Sequence, residues 1–97
     1  MFLTKFGVRC DESKFDVIES LAECRKAFSN LISPTYPASR RNGVDTQTSS
    51  YNPKGCYYDK GYPGWQTYFN NHASGRRNSD ATQVCKLKGT IVIPYIR

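Results

Sequence analysis

Cys10, Cys24, Cys56 and Cys85 are spread through 97 residues with no C-x-x-C pair among them, and no other feature restricts the possible folds so much. Zinc sites and thioredoxin-like redox couples place two cysteines almost side by side, so the spacing offers neither a metal site nor a redox pair. A chain of this length buries only about 60 % of the surface that its unfolded form exposes, which leaves a marginal core unless something restricts the unfolded state. Four well-separated cysteines in a small, tyrosine-rich domain supply that restriction as two disulfides. Four buried thiols in a reducing compartment are the competing reading. Seven tyrosines, five phenylalanines and Trp65 are more large apolar side chains than a disordered segment carries. Residues 1–97 are therefore expected to form a single disulfide-stabilised domain, too short to hold a second.

Residues 2–9 alternate, with Phe2, Thr4, Phe6 and Val8 on one face, as a strand does. Beyond Ser13 the period changes. Val17, Leu21, Cys24, Phe28 and Leu31 recur at the spacing of one helical face, which predicts a helix capped by Ser13 and Asp16 and ended near Asn30 by Pro34 and Pro37. Residues 33–54 lack apolar periodicity and read as a long surface loop. Short strands are expected at 55–58, 65–69 and 83–87, with a β-branched one at 90–96; Gly61, Pro63 and Gly64 mark a turn, and 70–80 a second loop. The predicted class is α+β, one helix packed on a small antiparallel sheet of four or five strands with two disulfides. If the terminal strands pair, Cys10 falls beside Cys85, and Cys24 on the apolar helix face reaches Cys56 on the sheet. That is the expected pairing of the three possible.

The first thirty residues balance acids against bases, so the whole net charge of +6 lies beyond them. Four of the bases there stand in two similar words, Ser39-Arg40-Arg41-Asn42-Gly43 and Gly75-Arg76-Arg77-Asn78-Ser79. Paired guanidinium groups on converging loops would hold phosphate, sulfate or carboxylate, because each presents a fork of donors matched to such anions. A solvated turn is the plainer explanation. Aromatic residues crowd between Tyr57 and Phe69, and those nearest the turn, Tyr62 and Trp65, are candidates for a platform on which a sugar ring stacks. Packing of Tyr57 with Trp65 or Phe69 in the core competes with that use. The most apolar stretch is Ile91, Val92, Ile93, Pro94 and Tyr95, and its proline belongs on an edge strand. Such a strand suits pairing with residues 2–8, with a second subunit, or with a larger assembly.

Other classes are disfavoured. Basic charge with interleaved aromatics is the mark of nucleic-acid binding, yet the charge is dispersed over loops and no recognised motif holds it. His72 is the only histidine, no serine or cysteine stands in a nucleophile motif, and no glycine-rich phosphate loop follows a strand, so neither catalysis nor a cofactor is expected. No stretch is long and apolar enough to insert in a membrane, and Met1 to Phe6 lack the pattern of a signal peptide. With disulfides, that leaves a mature or excised module, a virion component oxidised after release, or another route to an oxidising compartment.

The words Asn52-Pro53-Lys54-Gly55-Cys56-Tyr57-Tyr58, Trp65-Gln66-Thr67-Tyr68-Phe69-Asn70 and Val84-Cys85-Lys86, preceded by Glu23-Cys24-Arg25-Lys26-Ala27, resemble small cysteine-stapled modules in secreted or surface proteins of algae and other protists. The resemblance implies disulfides, an extracellular or cell or virion surface setting and a non-catalytic role, with no chemistry attached. The expected function is an extracellular structural or interaction module that binds a protein partner or self-assembles. The alternative is a small secreted binder of carbohydrate or polyanion through Arg40, Arg41, Arg76, Arg77, Tyr62 and Trp65.

Overall fold

Cys85 sits near the middle of the longest strand, and both faces and both edges of that strand are used. The computed structural model describes residues 1–37, 43–61 and 64–89. Among them six strands form one sheet: β1 (Phe2–Leu3), β2 (Phe15–Val17), β3 (Val44–Gln47), β4 (Gly55–Asp59), β5 (Gln66–Asn70) and β6 (Ala81–Leu87). The order is β1-β6-β4-β5-β3, and β2 also pairs with β6. Phe2 and Val17 both lie opposite Cys85, so β1 flanks β6 on one edge while β4 and β2 follow one another along the other. All pairings are antiparallel except β3 with β5, which is parallel. The α+β class holds; the sheet is larger than the sequence predicts, and mixed.

Successive residues of β6 point to opposite faces, and the two faces carry two cores. Val84 joins Ile18, Cys24, Ala27, Ile32, Cys56 and Tyr58 beneath the helix, whereas Cys85 joins Cys10, Val17 and the partly buried Phe15. Val17 and Ile18 are neighbours in sequence and enter different cores, which is what an extended backbone allows. Each core contains one disulfide. Cys10 is bonded to Cys85 and Cys24 to Cys56, the pairing expected from the topology, and no described cysteine is free.

Four local expectations are corrected. The stretch from Ser13 is not the start of the helix, because Phe15–Val17 pairs with β6; the helix α1 (Leu21–Ala27) is capped by Ser20, whose hydroxyl accepts from Glu23 N at 3.1 Å. Helical backbone also outlasts Asn30, running through a π-helical turn at Phe28–Ile32 and a further turn at Ser33–Thr35 that tolerates Pro34 near its start. The loop assigned to 33–54 contains β3, whose single apolar residue, Val44, packs on the main core. Regular strand pairing near the N-terminus stops at Leu3, although Thr4 N and Gly7 N still donate to the carbonyls of Gln83 and Ala81 at 3.0 and 2.9 Å. The strand expected at 90–96 lies outside the described residues.

Candidate functional site

The chain reverses twice at the end of the sheet where β4 begins and β5 ends, and one buried side chain ties the two loops together. Asn70 Nδ2 donates to the carbonyls of Ser49, Asn52 and Pro53 at 2.9, 3.1 and 2.9 Å, and its Oδ1 accepts from Ser49 N and His72 N at 2.9 and 3.2 Å. An asparagine amide has this mixture of donors and acceptor, and a carboxylate does not. The second loop is then pressed onto the first. Gly75 has φ +66°, and a Cβ there would lie 2.6 Å from Lys54 N and 2.7 Å from Asn52 O. Arg76 N donates to Asn52 O at 2.9 Å, and Asn78 Nδ2 to Asn52 Oδ1 at 2.8 Å. His72 is spent on the turn itself, its Nδ1 accepting from Ser74 N and Gly75 N at 3.2 and 3.1 Å.

This scaffold displays cations and aromatic surface. Tyr51 is 70 % exposed, and the Arg76 guanidinium carbon lies 5.3 Å from the centroid of its ring, within the range of a cation–π contact. Arg77 is exposed beside Arg76. Lys54 also lines a cleft of about 230 Å³. Ile18 and Phe69 give it apolar walls, Gly55 contributes backbone, and Glu19, Lys54 and Asn71 bring a carboxylate, an ammonium and an amide.

Trp65 stands at the far end of β5, 57 % exposed, with a left-handed backbone at φ +60° following Gly64 at φ +79°. A bulky side chain in that region is strained, and the conformation turns the indole outward instead of into the core. Within the aromatic run Tyr58 is buried in the main core with Phe69 packed against it, and Tyr57 is fully buried on the opposite face of the sheet. Tyr57 stacks on Tyr68 at 5.4 Å between centroids, and its hydroxyl is bonded to Gln47 Oε1. Burial, and then the negative charge of Asp59, push the Tyr57 phenol far above its ordinary value. The Tyr68 phenol is raised in the same direction by burial, then Asp59 and Asp45.

Of the residues that the sequence singles out for binding, Arg76, Arg77 and Trp65 are described and exposed, but not together. Gly43, which leads into β3, is registered at the Gln66 end of β5, opposite to the Asn70 end where Arg76 is fixed. Arg40, Arg41 and Tyr62 lie outside the described residues, as do Ile91, Val92, Ile93 and Tyr95. Tyr51, Lys54, Asn70 and Asn71 carry no signal of their own in the sequence. The word N-P-K-G-C marks a turn, but only the crossing of the second loop shows that the turn forms the wall of a cleft.

Two disulfides set in an α+β sheet, with a donor-rich loop face at one end, define the class of domain. No protein-family model, curated protein or solved structure matches the chain. Among the described residues, no helix is long and apolar enough to cross a membrane.

Proposed function

We propose that the protein is a non-catalytic, disulfide-stapled interaction module that works outside the cell, at a cell or virion surface, by self-assembly or by docking on a larger assembly. The observation that carries this reading is the apolar surface over the Cys10–Cys85 disulfide. Phe2 and Leu87 are 39 % and 65 % exposed; β1 with Phe2 and β2 with Phe15 border opposite edges of β6, which carries Leu87, and Phe2 and Phe15 are in edge-to-face contact at 4.9 Å. Large apolar side chains gathered on one face of a small domain are the usual mark of a protein contact. The use of His72 Nδ1 as a turn acceptor also favours binding over acid–base chemistry. The likeness to cysteine-stapled modules of protist surfaces supports the setting through its motifs alone.

Light scattering on the oxidised full chain tests the reading. The wild type should elute as an oligomer at low and at high salt, and Leu87→Lys should shift it to monomer. A wild type that is monomeric throughout overturns self-assembly. Removal of residues 90–97 asks separately whether the segment holding Ile91, Val92, Ile93 and Tyr95 takes part; an unchanged oligomer excludes it.

A second reading, binding of carbohydrate or polyanion, is favoured by Arg76 over Tyr51 beside Arg77 and Lys54. It calls for retention on a heparin-type matrix and release as ionic strength rises, since screening weakens such contacts.

A further inference from the structure

The cleft beside Lys54 has a shape and a donor balance of its own. Its volume of about 230 Å³ is below the roughly 300–1,000 Å³ of pockets that enclose a drug-sized ligand. One ring fits, and the rest of a longer ligand must run over the surface outside. Phe69 gives the cleft an apolar wall of the kind on which the C–H face of a pyranose packs.

The polar groups are placed so that donors predominate. Asn71 Oδ1 accepts from the Thr48 hydroxyl, which leaves donation to the amide nitrogen, and Asn71 N is bonded to Gln47 O at 3.0 Å, fixing the backbone. Lys54 adds an ammonium group, and Glu19 is the one carboxylate, 3.9 Å from Lys86 Nζ. Gly75 is packed against Lys54 N, so the loop that carries Arg76 and Arg77 crosses the backbone of a residue that lines the cleft. A site with an apolar wall, an amide, an ammonium group and an Arg-Arg pair on the loop that crosses Lys54 is matched to a ring that carries an acid within a longer acidic chain.

We propose that this cleft holds one ring of an acidic polysaccharide. The ring packs on Phe69, its hydroxyls meet Asn71 and Glu19, its carboxylate or sulfate meets Lys54, and Arg76 and Arg77 take acidic groups of adjoining rings. The proposal rests on the second reading above and moves its centre from the Arg76–Tyr51 contact to Lys54, Phe69 and Asn71.

Calorimetric titration of the oxidised full chain with oligogalacturonate, dextran sulfate and neutral dextran tests it, alongside K54Q, N71A and the double variant R76Q/R77Q. Lys54 and Asn71 are half-buried and exposed, so the fold should survive, and an unchanged melting curve is the control. The wild type should bind at least one acidic polymer and not neutral dextran; binding of oligogalacturonate points to a carboxylate, and of dextran sulfate alone to a sulfate. K54Q should weaken binding about tenfold or more, as loss of a charge-assisted hydrogen bond does. N71A should weaken it roughly threefold to tenfold without changing its salt dependence, whereas R76Q/R77Q should flatten that dependence. If K54Q and N71A bind like the wild type while R76Q/R77Q does not, the cleft is not the site and only the polyanion reading stands. If no acidic polymer binds, both fall. Equal displacement by a single-stranded oligonucleotide of matched charge, with N71A silent, reduces the site to unspecific charge and overturns the proposal.

Discussion

Gly55 explains why a glycine must precede Cys56. Its φ is +79°, and a Cβ would lie 2.6 Å from the carbonyl oxygen of Ile18, so the chain entering the helix passes directly over it. Gly55→Ala is expected to lower stability by about 1–3 kcal/mol from backbone strain alone, and by more as Ile18 is displaced, measured by denaturant unfolding. Asn70 carries a similar burden through its side chain. Asn70→Ala leaves the Ser49 and Pro53 carbonyls without their donor and should cost on the order of 2–3 kcal/mol, with loss of the Tyr51–Arg76 contact visible in the arginine side-chain resonances. Tyr57 sets an alkaline limit. Its phenol is raised in the folded state by burial and then by Asp59, so its contribution is whole below about pH 10, where unfolded phenols begin to ionise, and is lost as pH rises further. Stability should hold up to about that pH and then fall, and Tyr57→Phe should make the fall shallower. A phenolate absorbance that titrates in full below the unfolding transition would contradict this.

At the scale of elements, the helix depends on its first turn and on one ion pair. Ser20 caps it, and Ser20→Ala should cost about 1 kcal/mol in a thermal melt. Glu23, in that same turn, meets the buried Lys86 of β6 at 2.9 Å and ties the helix start to the sheet. The helical spacing of Leu21, Cys24, Phe28 and Leu31 was legible because one face of that segment is buried against the sheet. Val17 fitted the same spacing by coincidence, since its burial comes from pairing opposite Cys85. β3 was illegible for a different reason. Val44-Asp45-Thr46-Gln47 has one apolar residue, and its strand exists because β5 offers a parallel edge in register.

At the scale of the whole molecule, the two disulfides divide their work between the two cores. Cys24–Cys56 closes 32 residues and sews the helix to β4, while Cys10–Cys85 closes 75 and holds the N-terminal segment against β6. On chain-entropy grounds each contributes about 4 kcal/mol, which is comparable to the whole stability of a small domain. Full reduction is therefore expected to abolish the cooperative melt at about 37 °C, and the near-ultraviolet circular dichroism of the buried tyrosines would report it. A reduced chain that still melts cooperatively well above that temperature would show that the cores suffice without cross-links.

The sequence by itself determined the components whose causes are local: an α+β domain, the positions of β4, β5 and β6, and the helical face around Cys24; among three possible cysteine pairings it favoured the one that the fold contains. Alternation, glycine turns and spacing act over a few residues and can be read from them. Tertiary structure alone decided where the helix begins, that β3 joins the sheet in parallel, and that Tyr51 meets Arg76 beside a cleft walled by Phe69 and Lys54. Those outcomes depend on segments far apart in the chain. Asn70 brings two loops together through carbonyl groups that every residue possesses, and a contact made by backbone leaves no mark on the identity of the residues that receive it.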